Sequence, residues 1–173
     1  MNSDTAPPAN LRNMDPKIRE LIEDYKLAVV LRHMSVAKVD YAKNVRKYTE
    51  IPLFAVNSYL EMLLECGYLT HYTNTSIKRS SAKLKKSAEV HKHHTYYEIT
   101  REGEIALRSL TPSLYLELLD STDLENLLNH RKAASIENPK LSKMGLLDRE
   151  NKITNLGRDI LEEACRKKII NCR

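Results

Sequence analysis

Apolar positions recur at helical spacing along the first third of this chain, and each run meets a recognisable start or stop. Asp15-Pro16 offers an acidic cap followed by proline at the first helical position. Behind it Ile18, Leu21, Ile22, Tyr25, Ala28 and Val29 keep the spacing of one helical face, which predicts a helix to about Met34. Ser35 reads as the cap of a second helix with Val36, Val39, Ala42 and Val45 on its apolar side. The polar stretch from Arg46 to Glu50 leads to Pro52. A third helix then runs to Cys66, striped by Val56, Leu60 and Leu63 and stopped by Gly67. Three helices with a tight connection before the third stand in helix-turn-helix order.

The period then changes. Leu69 to Thr75 and Thr95 to Thr100 are rich in Thr, Tyr and Ile and read as two strands of a hairpin. Thr100 caps a further helix over 101–110, with Ile105, Ala106 and Leu110 expected to face inward. The expected fold class is mainly α with small β-hairpin wings, an α+β architecture. The runs that carry most information are Asp40-Tyr41-Ala42, then Val56, Leu60 and Leu63, then Gly67-Tyr68-Leu69, and Ile99-Thr100-Arg101-Glu102-Gly103. Together they resemble the winged helix-turn-helix family of prokaryotic regulators, in the style of its MarR- and ArsR-like groups and of small archaeal winged-helix proteins. The resemblance covers about residues 15 to 110. It implies a winged-helix fold and, with it, DNA binding, although such folds also serve as protein-docking modules.

The closing signature occurs twice. Gly145-Leu146-Leu147 repeats Gly67-Tyr68-Leu69, and Ile153-Thr154-Asn155-Leu156-Gly157 repeats Ile99-Thr100-Arg101-Glu102-Gly103. All 4 glycines of the chain fall in these two copies, so chance is a poor explanation. In the second copy only Asp148 to Lys152 separates the strands, with Glu150-Asn151 as the turn. Upstream of it, Ser113 to Leu119 and a helix opened by a capping box at Thr122 and Glu125 supply Leu116, Leu119, Leu124, Leu127 and Leu128. Asn138-Pro139 then opens a helix of little more than one turn. The expected division is a tail over 1–14, a winged helix-turn-helix domain over 15–110 with a long wing at about 70–100, and a reduced second winged-helix-like domain over 111–173. Thr111-Pro112 marks the boundary.

Composition narrows the class of partner. With 173 residues, 42% hydrophobic and 29% charged, the chain can bury a core unaided. No apolar run approaches the roughly 20 residues of a membrane span. The polar N-terminus with Pro7 and Pro8 has no signal-like core, and three scattered cysteines suggest no disulfide framework, so a cytoplasmic location is expected. The charge is uneven. Between Lys78 and His94 stand six basic residues and one acid, Glu89, which equals the +5 of the whole chain. A neutral body with one strongly basic segment points to a polyanion.

That segment and the third helix supply the candidate contacts. Lys78, Arg79, Lys83, Lys85, Lys86 and Lys92 would give the wing phosphate affinity, helped by the Ser80-Ser81 hydroxyls. Lys38, Lys43, Arg46 and Lys47 lie where such proteins touch phosphates, and Asn57 and Ser58 are the third-helix residues able to hydrogen-bond bases. The expected function is duplex DNA binding as a transcriptional regulator. The third helix has no Lys or Arg and carries Glu61 and Glu65, so a rival reading has Leu53 and Phe54 docking a protein partner. A further alternative is an RNA or single-strand binder stacking bases on Tyr96 or Tyr97, of which at most one faces outward. Homodimerisation is expected through a C-terminal helix over 159–170 with Ile160, Leu161, Ala164 and Ile169 as its stripe. His91 and His93 would share a strand face, but no further ligands complete a metal site, and no metal or cofactor is expected. Cys66 reads as a core residue, and Cys165 and Cys172 as helix residues or a redox or interchain pair. No phosphate loop, nucleophile elbow or carboxylate pair is present, so no enzyme is expected.

Overall fold

A computed structural model of the protein describes residues 14–73, 94–132 and 137–171. The chain forms two compact units: Lys26–Ser109 make one, and the residues on either side of that segment make the other.

In the central unit the order is α2 (Tyr25–Ala37), β1 (Val39–Tyr41), α3 (Ala42–Thr49), α4 (Leu53–Glu65), β2 (Leu69–His71), β3 (Tyr96–Ile99) and α5 (Arg101–Ser109). α1 (Pro16–Glu23) precedes it. The single helix expected from Asp15 to Met34 is therefore two. Asp24 interrupts it with extended dihedrals (φ −128°, ψ 95°) while its N–H still bonds the Glu20 carbonyl. Ser35, expected to cap a second helix, lies inside α2. α2 instead stops at Lys38, whose φ of +64° turns the chain out of the helix.

Directly after Lys38 the chain forms a strand where the apolar pattern predicts a helix. β1 pairs antiparallel with β3 in the register Val39 to Glu98 and Tyr41 to Tyr96, and β2 pairs with the other edge of β3, Leu69 opposite Ile99 and His71 opposite Tyr97. The sheet thus has three strands in the order β1-β3-β2, against the two expected. Three residues are too few for alternation to show against helical spacing.

A buried polar cluster fixes β1 against its neighbours. The Asp40 side chain is fully buried, and its two oxygens accept from Asn44 Nδ2 at 2.9 and 2.7 Å and from the Tyr41 N–H at 2.9 Å. His33 Nε2 lies 2.8 Å from Asp40 Oδ2. α2, β1 and α3 are held by one carboxylate, and each of its bonds is strengthened by exclusion of water. α4 contributes Val56, Leu60 and Leu63 to the core, as its stripe predicts. On α5 the buried positions are Gly103 and Ala106, whereas Ile105, expected inside, is 52% exposed.

The second unit comprises α1, α6 (Pro112–Leu116), α7 (Ser121–Lys132), α8 (Pro139–Lys143) and α9 (Asn155–Arg166), with one antiparallel bridge between Leu147 and Ile153. Sequence order puts α1 with the helices that come after it, yet Ile22 belongs to the core of this unit, with Tyr115, Leu127, Leu141, Leu146 and Ile160. Leu110 and Met14 also pack against that core, and residues 1–13 of the expected tail lie outside the described residues. α7 is capped two residues earlier than expected. Asp120 Oδ1 accepts from the Asp123 N–H at 2.8 Å, and Asp123 Oδ2 accepts from the Asp120 N–H at 3.1 Å, which is the reciprocal arrangement assigned to Thr122 and Glu125. The stripe expected to serve dimerisation is covered within the chain: Ile160, Leu161 and Ala164 have no exposure, and only Ile169 stays outside at 52%.

The two glycine signatures build the same circuit. Tyr68 N–H bonds the Leu63 carbonyl and Leu146 N–H the Leu141 carbonyl, both at 2.9 Å, each closing a helix with a left-handed glycine, Gly67 or Gly145. Thr100 Oγ1 donates toward the Gly67 and Tyr68 carbonyls and accepts from the Gly103 N–H at 3.1 Å. Thr154 Oγ1 does the same with Gly145, Leu146 and the Gly157 N–H at 3.2 Å. Each threonine locks the end of one helix to the start of another.

Candidate nucleic-acid interface

A groove of about 210 Å³ opens on the central unit where β1, α3, α4 and β3 meet. Tyr41, Ala42 and Lys43 line it from the junction of β1 and α3, Leu53 and Asn57 from α4, and His94, Thr95 and Tyr97 from the approach to β3. The helix spacing explains the α4 pair, because residues four apart stand one above the other. The Tyr41 and His94 rings are stacked, 4.6 Å between centroids and 11° between planes. Burial, then the neighbouring Tyr96 and Asp40, raises the Tyr41 hydroxyl above its ordinary pKa. Burial also raises that of Tyr97, whose hydroxyl donates to Glu61 Oε1 at 3.2 Å. Both phenols therefore remain neutral around pH 7 and present no repelling charge to an anion.

Of the residues that sequence reasoning singles out, Lys43, Leu53, Asn57 and Tyr97 line this groove, Lys43 and Asn57 as the expected DNA contacts. Lys43, Arg46 and Lys47 are exposed along α3. Among the described residues Lys43 and Arg46 make no ion pair, while the Lys47 ammonium lies 5.7 Å from the Tyr48 ring centroid. The Lys38 ammonium, in contrast, is paired with Glu104 on α5. That pairing holds the Glu104 carboxyl below its ordinary range. On α4, Asn57 and Ser58 are exposed, and the Ser58 hydroxyl donates to the Phe54 carbonyl at 3.2 Å. Leu53 is half-buried in the groove, and Phe54 is 76% exposed.

Other expected site residues fall elsewhere. Lys78, Arg79, Lys83, Lys85, Lys86 and Lys92, with Ser80, Ser81, His91 and His93, lie outside the described residues. Tyr96 and Tyr97 are both buried on β3, the central strand of the sheet, and of the two Tyr97 lines the groove. Cys66 is half-buried and takes no part in a disulfide, and Cys165 is disulfide-bonded. Cys172 lies outside the described residues. Among the described residues no group of three or more His, Cys, Asp or Glu side chains is placed to hold a metal ion, and no helix is long and apolar enough to cross a membrane. The groove residues that sequence reasoning did not single out as contacts are Tyr41, Ala42, His94 and Thr95. For Tyr41 and Ala42 the signal is strand β1 and its junction with α3, which the helical reading of Val36 to Val45 conceals.

A larger cavity, about 480 Å³, belongs to the other unit and is lined by Leu118, Pro139 and Met144 with Arg19, Lys140 and Lys143. Two of its cations are already engaged: Arg19 pairs with Glu23 at 2.6 Å, and Lys140 pairs with Asp123.

By architecture this is a mainly helical α+β protein with a small three-stranded antiparallel sheet and a polar, cation-edged groove beside it. Residues 18–110 match the model of a family described as an uncharacterised protein conserved in archaea (DUF2250), and the chain belongs to that family. Comparison with curated proteins and with solved structures returned no match.

Proposed function

We propose that the chain is a winged-helix DNA-binding protein acting as a transcriptional regulator, with the central unit as its duplex-binding part. The observation that carries this reading is the convergence of Lys43 and Asn57 on one groove from different helices, at the point where the strongly basic connection between β2 and β3 rejoins the sheet. The element order α2-β1-α3-α4-β2-β3-α5 supports a winged helix with α4 as recognition helix. The repeated threonine–glycine circuit supports a reduced second copy in the other unit. Lys43 and Arg46, which make no ion pair among the described residues, supply phosphate contacts, and the six basic residues from Lys78 to Lys92 supply more from the wing.

A protein-docking reading has one observation in its favour, the 76% exposure of Phe54. A salt titration separates the two. Affinity for duplex should fall with log salt at a slope of about −0.9 per phosphate contact. Lys83→Ala with Lys85→Ala and Lys86→Ala should flatten that slope by about three, and Lys43→Ala or Arg46→Ala by about one each. Lys38→Ala should leave it unchanged, because that ammonium is held by Glu104. Absence of duplex binding at low salt, with Phe54→Asp abolishing capture of a protein partner, would favour docking.

A further inference from the structure

Resting on that reading, we infer that α4 selects A·T base pairs in the major groove, with Asn57 reading adenine and Phe54 the thymine methyl group. The helix offers readers for one base pair and lacks them for the other. Guanine is read by Arg or Lys, and Leu53–Glu65 contains neither. Cytosine is read by a carboxylate accepting from its amino group. Glu61 is the carboxylate within reach, but its Oε1 accepts from the Tyr97 hydroxyl, which directs it to the sheet. Glu65 ends the helix, three turns from the N-terminal residues that meet base edges.

The residues exposed near the start of α4 suit the A·T pair. Asn57 carries the donor and acceptor that match adenine N7 and N6, and it makes no other hydrogen bond among the described residues. Phe54 is 76% exposed, the largest exposure of any large apolar side chain described, and the thymine methyl is the apolar feature of the groove. Ser58 commits its hydroxyl hydrogen to the Phe54 carbonyl and adds no donor. Phe54 and Asn57 are three residues apart and therefore neighbours on the helix surface, able to read the same or adjacent pairs.

The test measures anisotropy of the full chain with labelled duplexes of equal length. A·T duplex should bind about tenfold more tightly than G·C duplex at one salt concentration. Replacing thymine by uracil removes the methyl and leaves the minor groove untouched; it should weaken the intact protein several-fold and leave Phe54→Ala unaffected. Replacing adenine by 7-deazaadenine should weaken the intact protein and leave Asn57→Ala unaffected. Equal affinity for A·T and G·C duplexes overturns the inference and leaves duplex binding standing. An A·T preference insensitive to both analogues overturns it too, assigning the preference to the minor groove. Failure to bind any duplex at low salt overturns the proposed function itself. The analogue arms use the unaltered protein, so they decide even if a variant folds poorly.

Discussion

Gly103 stands against Tyr68 so closely that a Cβ built on it would lie 2.4 Å from the Tyr68 carbonyl oxygen. The equivalent glycine of the second signature, Gly157, would meet the Leu146 carbonyl oxygen at 2.6 Å. Both obstacles are backbone atoms of the strand entry that the threonine circuit pins, so neither can move aside without breaking it.

Gly103→Ala and Gly157→Ala should each destabilise the protein by about 1–3 kcal/mol through overpacking. Gly67→Ala should be milder, about 1 kcal/mol, since space around it is open and only its positive φ of +77° resists a side chain. Urea denaturation followed by circular dichroism would measure all three. Equal tolerance of alanine at 67 and 103 would contradict the close approach.

Asp40 should be the least replaceable polar residue of the central unit. Asp40→Ala leaves the Tyr41 N–H, the Asn44 amide and the His33 ring without their shared acceptor. Unsatisfied buried groups of this kind cost about 1–3 kcal/mol each, so a loss of at least about 2 kcal/mol is expected. Asn44→Ala should cost less, because the carboxylate keeps its other partners. The urea midpoints of the two variants compare them directly.

Glu163 gives the second unit an acid-sensitive contact. The Ser113 hydroxyl donates to Oε1 at 2.6 Å and Arg166 pairs with the carboxylate, which lowers its pKa from 4.5 to about 2. The folded state thus binds fewer protons than the unfolded one in this range. The stabilisation is present above the unfolded value and is lost as pH falls from about 4.5 towards 2. Melting temperature should decline over that window in the native protein and decline less in Glu163→Gln. Identical pH profiles for the two would remove Glu163 as a source of acid sensitivity.

The sequence alone determined the features that rest on local chemistry. The stripe of α4, the glycine stop at Gly67, the Asn138 cap of α8 and the two glycine signatures are all legible because each needs particular residue types within a few positions. The basic character of the β2–β3 connection was likewise visible as a count of charges. Tertiary structure decided what local pattern leaves open, namely which surface covers each apolar face. Periodicity shows that Ile22 belongs inside but not that it joins Leu127 and Ile160, and it marks the Ile160–Ala164 stripe without saying that the same unit buries it. It also reads Val39 as helical, because a three-residue strand is defined by its pairing with β3 and not by its own alternation. The groove at Lys43 and Asn57 depends on that pairing, which brings Tyr41 and His94 together from residues far apart in the chain.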